Sequence, residues 1–71
     1  MERILIIEDE KDVNQLLAQN LQKNGYETVS VWNGPDGIRQ LQNQHFDMVL
    51  LDLMLLIGTV GYLKFQKTEL K

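Results

Sequence analysis

Apolar residues recur along this chain in two different rhythms, and their alternation divides it into elements. Ile4, Leu5, Ile6 and Ile7 are an unbroken aliphatic run, and so are Met48, Val49, Leu50 and Leu51. Short continuous runs of this kind read as strands buried on both faces, the habit of a parallel sheet. Between them the rhythm changes. Val13, Leu16, Leu17 and Leu21 follow the i, i+3, i+4, i+8 spacing of an amphipathic helix, which is predicted from Asp12, its candidate cap, to Lys23. Asn24-Gly25 stops it, glycine being favoured where the chain turns left-handed past a helix. Residues 27–32 read as a second strand, rich in the β-branched Thr28, Val29 and Val31. Its polar residues suit a sheet edge.

Asn33-Gly34 would suit a hairpin turn, but the segment after it is not a strand. Pro35 fits the first turn of a helix, with Ile38 and Leu41 as its apolar stripe and Gly37 as its weak point. Residues 46–51 form the third strand. The order β-α-β-α-β implies an α/β fold with parallel strands and right-handed crossovers. The end of the chain is less regular. The apolar run continues through Leu53-Met54-Leu55-Leu56-Ile57, then Gly58 and Gly61 interrupt it. Val60, Leu63, Lys67 and Leu70 can share a helical face, although Thr59, Tyr62 and Phe65 favour strand; a helix is predicted from about residue 60.

Both aliphatic runs end in acid: Glu8-Asp9-Glu10 follows the first and Asp52 the second. In open parallel sheets the functional crevice lies beyond the carboxyl ends of the strands. If the two strands are neighbours, Glu8, Asp9 and Asp52 meet on one patch, where their charges repel unless a cation intervenes. That is a hard-cation site suited to Mg²⁺, with Glu10 on the surface. The plainer reading makes Asp52 a cap after a strand and Glu8 a solvated acid. His45 reads as a surface residue near a helix end, Trp32 as packing, and the Leu/Met run of 48–57 as core or interface.

At 71 residues the chain is one small domain, short enough to need support from a metal or a partner. It has no cysteine, so disulfides and thiolate sites are excluded. A net charge of −3 argues against a nucleic-acid surface. The start lacks the pattern of a signal peptide, and residues 48–57 are too short and too acidic to span a bilayer. A cytoplasmic protein with no membrane contact is expected.

Arg3-Ile4-Leu5-Ile6-Ile7-Glu8-Asp9-Glu10, then Asn24-Gly25-Tyr26-Glu27, Asn33-Gly34, and Asp47 through Leu55 together resemble the receiver domain of two-component response regulators. The resemblance implies a partial flavodoxin-like sheet of order 2-1-3, with residues 1–55 a receiver-like half-domain and 56–71 a divergent apolar tail. It implies Asp52 as phosphoacceptor, Glu8, Asp9 and Asp52 in a Mg²⁺ pocket with the backbone carbonyl of Met54 as a further ligand, and a histidine kinase as phosphodonor. A receiver accepts a phosphoryl group in a phosphorelay and is not otherwise an enzyme. Past Leu55 the family's usual Pro and Asp-Gly are replaced by Leu56-Ile57-Gly58-Thr59-Val60-Gly61. The lysine and the Ser/Thr that the family uses later have no counterpart, so a truncated receiver impaired as a switch is expected. The alternative is a non-catalytic, self-associating module or an inert truncation product. With the third strand as an exposed aliphatic edge, a homodimer through that strand or the tail is expected.

Overall fold

The computed structural model describes residues 2–57 and 61–70, and the side chains of residues 2–51. Residues 58–60, and the side chains of Asp52 and Met54, lie outside the described residues. The elements are β1 (Arg3–Glu8), α1 (Lys11–Lys23), β2 (Glu27–Val31), α2 (Gly34–Asn43), β3 (Met48–Ile57) and β4 (Gly61–Leu70). They build a four-stranded sheet of order β2-β1-β3-β4. The first three strands are parallel in the order 2-1-3, a partial receiver-like α/β fold, and β2 lies at an edge as its polar content predicts. The two crossovers leave β1 and β2 in opposite directions across the sheet, so their right-handedness puts α1 and α2 on opposite faces.

β1 is the centre of the core. Ile4, Leu5, Ile6 and Ile7 are all buried. Leu5 and Ile7 cluster with Val31 and Phe46, and Val29, Val49 and Leu51 pack around them. α2 sits over this cluster unusually closely. A Cβ on Gly37 would come 2.4 Å from Ile7 Cδ1 and 3.0 Å from Ile7 Cγ1, so the residue that weakens the helix locally is the one that lets it dock. Ile38 and Leu41, the expected inner stripe, are instead exposed, because the turn that touches the sheet is the one carrying Gly37. Pro35 occupies the first turn of α2 as predicted, and Asn33, part of the turn signal in the sequence, proves to be its N-cap, accepting from the Asp36 backbone N–H at 2.8 Å. α1 begins at Lys11 with Glu10 as its N-cap residue, so Asp12 lies inside the first turn and does not cap. Gly25, at φ +89°, makes the turn after α1.

The C-terminal segment differs from expectation. Residues 61–70 form β4, antiparallel to β3 from Met48↔Leu70 to Ile57↔Gly61, in place of the expected helix. Two glycines weaken a helix start here, while Tyr62, Phe65 and Thr68 suit a pleated surface. The deciding factor is non-local. β3 offers a row of unsatisfied backbone groups, which a strand pairs and a helix would leave open. The outer edge of β3, expected to be bare, is therefore covered by the chain itself. β3 is also longer than expected, running past Leu51 to Ile57, so the division at residue 55 falls inside a strand.

The opposite end of the sheet is tied by a reciprocal pair. The Arg3 backbone N–H donates to Asp47 Oδ2 at 2.8 Å, and the Asp47 N–H donates to the Arg3 carbonyl at 2.8 Å. The Arg3 guanidinium donates to Gln44 Oε1 at 2.8 Å and pairs with Glu27 at 3.2 Å. The Arg3 backbone N–H holds the Asp47 carboxyl below its ordinary value of 3.8, outweighing the opposite effect of partial burial, and His45 lowers it further. A depressed folded-state pKa stabilises above the unfolded value and loses that contribution as pH falls through the folded one. The stability advantage of wild type over Asp47→Asn is thus expected to be constant above about pH 5 and to shrink at lower pH. Urea titrations of both proteins across that range measure it, and an advantage growing toward low pH would contradict the assignment.

Candidate functional site

The parallel register between β1 and β3 runs from Ile4↔Met48 to Glu8↔Asp52. Neighbouring strands lie about 4.8 Å apart and paired residues share a face. The two acidic positions read from the sequence are therefore side by side, at the point where β1 ends. Glu8 is fully buried, at 0% exposure, whereas Asp9 and Glu10 are exposed. A buried carboxylate is costly unless its surroundings offset the charge. Part of that offset is local: Glu8 Oε2 accepts from the Glu10 backbone N–H at 2.8 Å, immediately ahead of α1, where the helix dipole favours an anion.

Asn14 is the residue that sequence reasoning missed. It is 1% exposed, and its Nδ2 donates to the Glu8 carbonyl at 3.2 Å and the Val31 carbonyl at 2.9 Å. One side chain thus fastens the C-terminal ends of β1 and β2 to α1. The available signal was its place between Val13 and Leu17 on a helix that must bury one face. Leu16, expected on that face, is 58% exposed.

Asp52 does not end its strand as expected. β3 continues through it, and residues 53–57 pair with β4 beyond the ends of β1 and β2. The acidic positions therefore lie against the side of a projecting two-stranded ribbon. Across that ribbon Asp52 is paired with Gln66, Met54 with Lys64 and Leu51 with Lys67. Among the described residues, no three His, Cys, Asp or Glu form a metal-sized group. The chemistry of the donors nevertheless suits a hard cation, since Glu8, Asp9 and Asp52 offer only carboxylate oxygens and one of them is fully buried.

Other features are remote from this site. A depression of about 240 Å³ lined by Leu41, Gln42, Asn43, Gln44, His45 and Phe46 lies where α2 leads into β3, at the opposite end of the sheet. His45 is largely exposed and lies 3.5 Å from Asp47, which fits a surface residue. Trp32, expected to pack, is 45% exposed. No helix among the described residues is long and apolar enough to cross a membrane.

Comparison with known proteins places the chain in a family. The family model described as "Response regulator receiver domain" matches residues 4–63, beyond the motifs that stop at Leu55. The transcriptional regulatory protein PcoR of Escherichia coli is 40% identical over 55 residues, covering 78% of this chain and 24% of that protein. The sensory transduction protein RegX3 of Mycolicibacterium smegmatis is 42% identical over 55 residues, again 78% of this chain and 24% of the relative. The alkaline phosphatase synthesis transcriptional regulatory protein PhoP of Bacillus subtilis is 30% identical over 53 residues, 75% of this chain and 22% of the relative. The chain thus spans about a quarter of the length of these curated relatives. No solved structure gave a significant match. With a sheet of order 2-1-3, paired acids at Glu8 and Asp52, and a family match over most of its length, the chain belongs to the receiver domains of two-component response regulators.

Proposed function

We propose that Asp52 is the phosphoacceptor, and that Glu8, Asp9, Asp52 and the backbone carbonyl of Met54 are the Mg²⁺ ligands. Receiver domains accept phosphoryl groups, bind Mg²⁺ in an acidic pocket and interact with histidine kinases. The observation that carries the assignment to these residues is the Glu8↔Asp52 register. An Asp52 carboxylate oxygen attacks the phosphorus of a phosphohistidine. The P–N bond breaks, its electron pair stays on the imidazole nitrogen, and a P–O bond to Asp52 forms. With acetyl phosphate the P–O bond breaks instead, and acetate leaves with the pair. Bound Mg²⁺ supplies positive charge to both the carboxylate and the transferred group. The exposed Asp9 is open to a partly hydrated ion, while Asn14 and the Glu10 N–H hold Glu8 and its strand end in place.

Switching is proposed to be impaired. Residues 56–61 lack the Pro and Asp-Gly expected there although the family match runs to residue 63, and the chain after β3 returns as an antiparallel strand where a helical crossover belongs. Phosphorylation should therefore alter the fold little. The cytoplasm is the proposed location. Acetyl phosphate with Mg²⁺ is expected to add one phosphoryl group, read by intact mass, and Asp52→Asn is expected to abolish the gain. A gain surviving in the variant would relocate the acceptor. Absence of any saturable Mg²⁺ response in amide shifts around Asp9 would remove the metal pocket.

The alternative, a self-associating module, draws on exposed apolar side chains at Leu16, Ile38, Leu41 and Trp32. Since β4 covers the edge of β3, a homodimer would use the other expected route, the C-terminal segment, whose ten-residue β4 is now the sheet edge. Light scattering at micromolar concentration is expected to give the dimer mass. A folded monomer would sink the homodimer.

A further inference from the structure

We propose that Asn33 is a site of spontaneous modification, at which attack by the Gly34 backbone nitrogen converts the N-cap of α2 to aspartate and isoaspartate. The inference stands apart from the phosphoacceptor reading. The chain holds two Asn-Gly pairs, Asn24-Gly25 and Asn33-Gly34, and both asparagines are exposed. A glycine leaves its backbone nitrogen unshielded, so the two pairs are chemically alike in the unfolded chain. Asn14, Asn20 and Asn43 precede Gln15, Leu21 and Gln44, whose side chains crowd the same approach.

The fold separates the two pairs. At Asn24 the reacting groups are tied down. The Gly25 N–H donates to the Gln22 carbonyl at 3.0 Å, and Asn24 Nδ2 donates to the Asn20 carbonyl at 2.8 Å. The Tyr26 N–H bonds back to the Leu21 carbonyl at 3.1 Å, so this turn must open before the nitrogen can reach the side chain. At Asn33 the reverse holds. Gly34 is the first residue of α2, where an N–H meets no carbonyl within the helix; the first backbone bond runs from the Gly37 N–H to the Asn33 carbonyl at 3.2 Å. The Asp36 N–H already points at Asn33 Oδ1 from 2.8 Å, and Oδ1 is the oxygen that turns negative as the nitrogen adds to Cγ. The positive end of the helix dipole favours the same charge.

The Gly34 N–H gives its proton to hydroxide, and the nitrogen bonds to Asn33 Cγ. The C–N bond to Nδ2 then breaks, and Nδ2 takes a proton from water and leaves as ammonia. Water opens the resulting cyclic imide at either carbonyl, giving aspartate or, with an added main-chain methylene, isoaspartate. Both products weaken the cap. Asn33 Nδ2 donates to Asp36 Oδ2 at 3.0 Å, and an aspartate there sets two carboxylates, neither able to donate, against each other. In isoaspartate the former side chain carries the main chain, and the oxygen that held the Asp36 N–H is displaced. Either change frays the first turn of α2 beside Gly37, its contact with Ile7.

Ageing of the native protein at mildly alkaline pH, read by peptide mapping, tests this within one chain. Asn33 should convert about three- to tenfold faster than Asn24, less than such a donor achieves in a buried site. In urea that unfolds the chain the two rates should converge. Gly34→Ala, with open space around the added Cβ, should slow Asn33 and leave Asn24 unchanged. Aged protein should exchange the amides of residues 36–38 faster than fresh protein. Asn33→Ser, which keeps a cap but has no amide to lose, should show no such change on ageing. Equal native rates, or Asn24 ahead, would overturn the proposal, because the cap would then protect its own amide. A lead for Asn33 that persists in urea would assign the preference to the sequence and overturn the role of the fold.

Discussion

Phe46→Ala is expected to leave the chain largely unfolded at 25 °C. Phe46 is 1% exposed and closes the cluster formed by Leu5, Ile7 and Val31. Truncating a buried phenylalanine costs about 3–5 kcal/mol, part of it lost transfer energy and part the cavity left behind. A chain of this size has a total stability of roughly 4–10 kcal/mol, at 0.05–0.15 kcal/mol per residue. A chain this short belongs at the low end of that range, where little or none of the margin survives the substitution. Phe46→Leu keeps most of the volume and should cost about 1–2 kcal/mol. Urea unfolding followed by circular dichroism separates the two variants. An alanine variant with a midpoint near wild type would mean that the cluster closes without Phe46.

Asn14→Leu is the second large effect, and it links the fold to the site. The substitution preserves volume and removes both donors, leaving the Glu8 and Val31 carbonyls buried without the amide. Each of the two stranded acceptors costs about 1–3 kcal/mol, so a loss of about 2–6 kcal/mol is expected. Asn14→Asp should be at least as damaging, because an ionised carboxylate can only accept and would face two carbonyl oxygens. The ends of β1 and β2 should loosen first. Amide hydrogen exchange at residues 7–9 and 31–32 should accelerate more than at the Arg3–Asp47 end. A loss below about 0.5 kcal/mol would show that water replaces the amide.

These two residues were not equally visible in the sequence. Phe46, expected to open the third strand, lies two residues ahead of β3, and its burial is what an aromatic beside an aliphatic run suggests. Asn14 is hidden from hydrophobic periodicity, which ranks positions by apolarity and favours the rotation that buries Val13, Leu16 and Leu17 together. The fold turns α1 so that Asn14 faces the ends of two strands and Leu16 faces outward. Satisfying two backbone acceptors outweighed burying one more leucine. Gly37 follows the same logic: a local helix weakener in the sequence, it is the contact point of α2 because only a residue without Cβ fits above Ile7.

The acidic site was legible because it depends on strand order and register alone. Aliphatic runs define β1 and β3, and once those strands are parallel neighbours Glu8 and Asp52 fall side by side. What could not be read was the surroundings: the complete burial of Glu8, its bond from the Glu10 N–H, and the continuation of β3 beyond Asp52.

The order of the first five elements, the turn at Gly25 and the helix start at Pro35 are written in the sequence, and its resemblance to the family adds the parallel 2-1-3 core and the acids. Each is encoded by local period, turn chemistry or a motif of neighbouring residues. The strand state of residues 61–70 and the inward faces of both helices were settled by the assembled fold. One cause lies behind both. Helical and strand periods both fit the C-terminal segment, and several rotations fit each helix, so the choice fell to backbone groups and surfaces supplied by distant parts of the chain.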